Sequence, residues 1–224
     1  MSFDAPSWVK ILGVCGTPEP RATLWAPFMV ATLDDHTFDG GLEELAQFLG
    51  QCLHESDLLA EISENLNYTV AALTATFGTA RISMADAAKY GRTPTQAANQ
   101  EAIANIVYGG PWGLKNLGNK NPGDGWKYRG SGLIQTTGFA NFQAAEKATD
   151  IPFTTSPELM RTIGRAPIEA AIAWWNKNVT TAMLGDALAL RKRVNGPAAL
   201  GLQDCIVLTA KARQALAAAT PQPD

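Results

Sequence analysis

Charge is scarce in this sequence: Asp, Glu, Lys and Arg make up 17% of its 224 residues, against roughly 25% in an ordinary soluble domain. The 18 basic and 21 acidic residues leave a net charge of −3. Basic residues nowhere gather into the stripe that neutralising a phosphate backbone requires, which excludes nucleic acid as a partner. The densest group, Arg191-Lys192-Arg193, reads as the solvated face of a helix. Cysteines are few, odd in number and far apart (Cys15, Cys52, Cys205), which argues against a disulfide framework. They read as reduced thiols, Cys52 and Cys205 packed in helices. Neither they nor the two histidines show metal-ligand spacing. No apolar run approaches the ~20 residues of a membrane span, so no membrane anchor is expected. The opening Met1-Ser2-Phe3-Asp4-Ala5-Pro6 lacks the basic and apolar regions of a signal peptide. Synthesis in a cytoplasm is expected, and a substrate elsewhere would need some other means of delivery.

What remains is a helical, polar-surfaced chain. A hydrophobic content of 46% supports a substantial core, and low charge leaves the surface to Ser, Thr, Asn, Gln and Gly, which suits a neutral polar ligand. Leu42, Leu45, Leu49 and Leu53 recur at helical spacing and predict a helix ending at His54-Glu55. Thr93-Pro94-Thr95-Gln96 predicts a capped helix start, running to about Tyr108 and stopping at Gly109-Gly110. Further helices are expected from Ser156-Pro157-Glu158 to Gly164, over Ala166–Asn176, over Pro197–Ala219 and over Arg21–Leu33 with Pro27 as a kink. Period-two runs are nearly absent. The expected class is mainly α with little or no sheet. It forms one catalytic domain over residues 1–219, with 1–40 as a helical segment packed on it and 220–224 as a frayed tail.

One stretch breaks the helical pattern. Residues 109–132 are rich in glycine and carry Trp112, Trp126 and Tyr128, a combination that predicts a long functional loop. Aromatic rings beside polar groups suit sugar, whose C–H faces pack on rings while its hydroxyls hydrogen-bond. The same rings could instead pin the loop to the core.

Two glutamates are the strongest chemical candidates. Glu55 falls at a helix C-terminus, where the macrodipole and apolar neighbours would raise its pKa, as a general acid needs. Glu64, in the polar run Glu64-Asn65-Leu66-Asn67-Tyr68, would stay ionised as a general base. A step of nine positions with a turn in it could set two carboxylates across a cleft, roughly 6.5–9.5 Å apart in inverting glycosidases. The residues taken alone leave open that both are surface glutamates. Cys52 and His54 stand at i, i+2, on different faces of a helix, and Ser131 lacks the nucleophile-elbow glycine.

The run Phe48 to Tyr68, with His54-Glu55-Ser56 and Glu64-Asn65-Leu66-Asn67-Tyr68, resembles glycoside hydrolase family 19, the family of plant-type chitinases and many phage endolysins. The resemblance continues through Tyr90-Gly91-Arg92, Ala104-Asn105-Ile106-Val107-Tyr108, Gly123 to Gly138, Ala173-Trp174-Trp175-Asn176 and Val194-Asn195-Gly196. It implies a lysozyme-like helical fold and an inverting mechanism without metal or cofactor. Glu55 would be the acid, Glu64 the base, and Thr137 a hydroxyl that holds the attacking water. Gln135, Asn141 and Asn195 match sugar-contacting positions, and Tyr128 and Trp126 would line the cleft. The chain departs from the family pattern at Pro111-Trp112-Gly113-Leu114-Lys115-Asn116, Ser131, Phe139 and Pro197, which bears on subsite detail.

Chitin and peptidoglycan both contain β-1,4-linked N-acetylated amino sugars. The nine-residue gap and the Glu-Asn-Leu-Asn-Tyr motif resemble the phage and bacterial branch, whereas plant-type chitinases have a longer gap and more cysteines. Glycan strands of peptidoglycan are therefore the expected partner of a monomeric endolysin that reaches the wall after holin-type release. A chitinase, an injected antibacterial effector and a non-catalytic glycan-binding protein are the alternatives.

Overall fold

The computed structural model describes residues 2–34 and 36–220. Twelve α-helices and two short 3-10 turns occur among the described residues, with isolated β-bridges and no named strand. The mainly α expectation holds. The described residues fall into two compact units, the first drawn from Met1–Ile62, Gly132–Gln135 and Leu159–Asp224, the second from Ser63–Ser131 and Thr136–Glu158.

The first unit is built on α3 (Gly41–Glu55), whose residues Leu45 through Leu53 are all buried. A helix buried all round needs neighbours on every side. Its main partner is α12 (Leu202–Ala219). Helices α1 (Ala5–Cys15), α2 (Glu19–Thr32), α10 (Arg165–Asn178) and α11 (Ala187–Asn195) complete the unit. Asp4 caps α1 by accepting from the Ser7 N–H. Trp8, Trp25, Phe48 and Trp175 fill the core, with Phe48 and Trp175 edge to face at 5.5 Å. The Trp175 indole N–H donates to Glu44 Oε1 at 2.8 Å, which satisfies its polar edge.

In the second unit, α4 (Val70–Phe77), α5 (Met84–Tyr90) and α6 (Gln100–Val107) are capped by Thr69, Ser83 and Asn99. They close over Leu66, Leu73, Ile82, Ala87, Ile103, Ala104 and Val107. Helices α7 (Gly110–Leu117), α8 (Asp124–Lys127) and α9 (Phe139–Thr149) follow.

Several boundaries differ from expectation, each for a local reason. Thr93-Pro94-Thr95-Gln96 closes on itself through paired Thr93 and Gln96 backbone bonds. Pro94 serves there as a turn residue, and α6 begins at Gln100, where Asn99 accepts from the Ala102 N–H. Gly110 opens α7, so part of the expected 109–132 loop is helical. Ser156-Pro157-Glu158 leads only a 3-10 turn, Pro157–Arg161. The helix expected from Pro197 starts at Leu202, after α11 has ended at Asn195 with Gly196 as its cap. Pro27 lies inside α2, as the sequence suggests. Of the expected frayed tail, residues 221–224 lie outside the described residues, and Thr220 is tied to Leu216 and Ala217 carbonyls.

Two substitutions test the packing. A Cβ on Gly50 would stand 2.9 Å from the Thr209 backbone nitrogen, so Gly50→Ala should lose roughly 1–3 kcal/mol in urea unfolding despite its better helix propensity. Gly13 in α1 is exposed with nothing near its missing Cβ, and Gly13→Ala should gain about 0.5–1 kcal/mol. The three thiols are buried and free. Burial pushes Cys15 and Cys205 up to about 11 and Cys52 well above its ordinary value. A thiol-specific chromogenic reagent at pH 8 should label none of them in native protein and all of them after denaturation.

Candidate active site

Glu55 is the last residue of α3, and the chain behind it is held in an unusual shape. Ser56 is fully buried, its hydroxyl donating to the Cys52 carbonyl at 2.7 Å and accepting from the Leu59 N–H at 3.0 Å. Asp57, Leu58 and Leu59 follow at φ 46°, 55° and 68°, a left-handed turn that costs L-residues about 1–2 kcal/mol each. Burial of Leu59 in the core and the Arg21 Nη1 bond to the Leu58 carbonyl at 3.1 Å offset that cost. The turn thus ends α3 abruptly at Glu55.

The Glu55 side chain, 16% exposed, meets Arg191, which is 1% exposed. Arg191 Nη1 lies 2.6 Å from Glu55 Oε1, off the N–H axis, so the contact is an ion pair without an aligned hydrogen bond. The aligned bonds of Arg191 go to Gln51 Oε1 at 3.0 Å and the Leu200 carbonyl at 2.6 Å. Two sequence expectations change here. Glu55 faces a buried cation that its local sequence does not announce, and Arg191 is the least solvated member of its basic triplet. Ala187, Leu190, Arg191 and Val194 share one face of α11 at helical spacing, the pattern that could have placed Arg191 inward. His54 Nδ1 stands 3.9 Å from Asp204 Oδ2, whose carboxylate is largely exposed, a weak pairing.

Glu64 belongs to the second unit and is held at both oxygens. Oε1 accepts from the Tyr108 hydroxyl at 2.5 Å and Oε2 from the Gly130 N–H at 3.0 Å. The Glu64 N–H in turn donates to the Gly130 carbonyl at 2.8 Å. The polar run around Glu64 suggested a carboxylate open to solvent; the carboxylate is half-buried and fixed by two donors. Burial, and then Glu64 beside it, push the Tyr108 hydroxyl far above its ordinary range, so it remains a donor. Arg81 supports Tyr108 from behind, donating Nε and Nη2 to the Val107 carbonyl at 3.0 and 2.8 Å. Its guanidinium lies 5.6 Å from the Tyr108 ring.

Each carboxylate is therefore held in one orientation by partners from separate parts of the sequence. No protein-family model matches the chain. A glycosyl hydrolase family 19 domain-containing protein of Haemophilus influenzae is 37% identical over 153 residues, which cover 67% of this chain and 70% of that protein. This chain belongs to glycoside hydrolase family 19. It is accordingly a glycosidase. Among solved structures, chitinase C from Streptomyces griseus has a TM-score of 0.50 at 18% identity, covering 99% of this chain and 79% of that one. A chitinase C variant also has a TM-score of 0.50, at 16% identity, covering 97% and 94%. These two share the fold.

The other family 19 positions divide into presented and structural groups. Gln135, at φ 53°, donates Nε2 to the Glu61 and Gly132 carbonyls at 3.2 and 3.3 Å. Thr137 is half-buried, and its carbonyl accepts from Asn141 Nδ2 at 2.8 Å. Asn141 and Asn195 are exposed, Asn195 Oδ1 accepting from the Leu200 N–H at 2.9 Å. Trp126 is half-buried with Arg129 stacked 3.7 Å from its ring centre. Tyr128 does not line a cleft: it is 3% exposed, packed against Phe139 and Phe142, with its hydroxyl donated to the Thr154 carbonyl. The ring serves as core, the other role that the loop's aromatics allowed. Of the residues that hold the two carboxylates, Tyr108 is visible in the sequence only as part of a motif, and Arg81 and Arg191 belong to none.

Removing Arg191 would leave the Glu55 carboxylate without its buried counter-charge. Arg191→Met should lower stability by about 3–5 kcal/mol in urea unfolding. Adding Glu55→Gln should recover part of that loss, because the two side chains share one interaction; strictly additive losses would mean that the pair is not coupled.

Proposed function

We propose that this family 19 glycosidase hydrolyses β-1,4 bonds between the amino sugars of bacterial peptidoglycan, with lysis of the cell wall as the result. Glu55 protonates the glycosidic oxygen and Glu64 activates the attacking water, so that the anomeric configuration inverts. The observation that carries the reading is the separate fixing of the two carboxylates, Glu55 against buried Arg191 and Glu64 between Tyr108 and Gly130. A glycan-binding protein would have no need of two carboxylates fixed in this way. Thr137 helps to hold the water, and Gln135, Asn141, Asn195 and Trp126 contact the sugars.

Peptidoglycan is preferred to chitin because the nine-residue interval from Glu55 to Glu64, with Glu64-Asn65-Leu66-Asn67-Tyr68, resembles the phage and bacterial branch of the family. A chitinase reading draws support from the chitinases among the proteins of similar fold.

Purified peptidoglycan and chitin oligomers, each incubated with wild type, Glu55→Gln and Glu64→Gln, separate these readings. Mass spectrometry of the new reducing ends should show wild-type cleavage of peptidoglycan. Each variant should lose at least about a hundredfold in rate while keeping its circular dichroism spectrum. Cleavage of chitin oligomers alone would keep the mechanism and replace the substrate. Full activity in Glu55→Gln would overturn the acid assignment.

A further inference from the structure

Two guanidinium groups stand over indoles next to the groups that hold Glu64. Arg81 lies 3.8 Å from the centre of the Trp112 ring and 5.6 Å from that of Tyr108, whose hydroxyl holds Glu64. Arg129 lies 3.7 Å over Trp126 and immediately precedes the Gly130 N–H that holds the other Glu64 oxygen. Burial lowers the pKa of both arginines and the charge of Glu64 acts in the opposite direction, so both cations lie within electrostatic reach of it. Two cations around one carboxylate leave the surroundings of the base net positive, in a chain whose overall charge is −3.

Hydrolysis of a neutral glycan gives this excess no task. The internal bonds of the two arginines do not require it either. Arg81 donates two N–H groups to the Val107 carbonyl and Arg129 donates one to the Trp126 carbonyl, acceptors that a neutral amide could serve. Arg129 Nε is buried with no hydrogen-bond partner, so a ligand can meet this guanidinium only at its terminal nitrogens. Stacking on an indole fixes the plane of a guanidinium and leaves its edge for a planar, bidentate acceptor, which lysine could not match.

We propose that Arg129 binds a carboxylate carried by the glycan and thereby selects acidic amino-sugar polymers over neutral chitin. The inference rests on the assignment of Glu64 as the base. In peptidoglycan the carboxylate has two sources: the lactyl ether on the sugar of peptide-free strands, or the free carboxylates of the peptide stems.

The test compares full-length wild type, Arg129→Gln and Arg129→Lys on peptide-free strands, stem-bearing strands and chitin oligomers. Each strand preparation is used before and after carbodiimide amidation of its carboxylates. Wild-type KM should rise about tenfold on amidation, as expected for loss of one charged hydrogen bond, and the unmodified strands alone should bind more weakly as salt is raised. Arg129→Gln should erase the difference between amidated and unmodified strands, and Arg129→Lys should keep part of it. A difference seen with peptide-free strands assigns the lactyl carboxylate; one confined to stem-bearing strands assigns the peptide. An equal rise in KM on both forms in Arg129→Gln would make Arg129 a structural residue and overturn the inference. If wild type cuts strands with the same KM before and after amidation, the peptidoglycan reading stands and the arginine assignment falls. If wild type cuts chitin oligomers alone, both fall.

Discussion

A carboxylate at the end of a buried helix stays in place only if a counter-charge is buried with it. Helix α3 is enclosed from Leu45 to Leu53 and ends on Glu55, where neither water nor the helix dipole favours an anion. Arg191 supplies the counter-charge, and much of the first unit's design follows from it. Helix α11 must turn one cationic residue inward, Gln51 must occupy a buried position on α3 to share the guanidinium, and the Leu200 carbonyl must face it. The left-handed turn at Asp57–Leu59 then stops the helix before it can carry Glu55 further. Stability is given up in a cation buried to 1% exposure and three strained residues, and what it maintains is the position of one side chain.

The second unit reaches the same end without a buried ion pair. Glu64 is gripped by a phenol and a backbone N–H, donors that fix geometry while carrying no net charge. Charge enters one layer further out, through Arg81 and Arg129 on their indoles. The two carboxylates thus have chemically different surroundings: a contacting cation for one, neutral donors with cations behind them for the other.

Helical class and the span of α3 could be read from the sequence, because each rests on local periodicity. What supports the glutamates could not. Arg191 lies 136 positions beyond Glu55 and Tyr108 lies 44 beyond Glu64, separations that no local pattern encodes. The charge of the triplet Arg191-Lys192-Arg193 suggests a solvated face, whereas its helical phase turns Arg191 inward. Thr93-Pro94-Thr95-Gln96 looked like a helix start because a Pro-containing turn and an N-cap share the same residues. Tyr128 looked like a sugar platform because a motif fixes a residue's place in the chain and leaves its burial open.

The account stands on Glu55 and Glu64 acting as acid and base in a single displacement. Proton NMR of the first minutes of hydrolysis, before the new reducing end mutarotates, tests that claim most directly. Appearance of the α-anomer first from the β-linked polymer is the predicted result. Appearance of the β-anomer first would require a covalent or substrate-assisted intermediate and would contradict the assignment of Glu64 as the base that activates water.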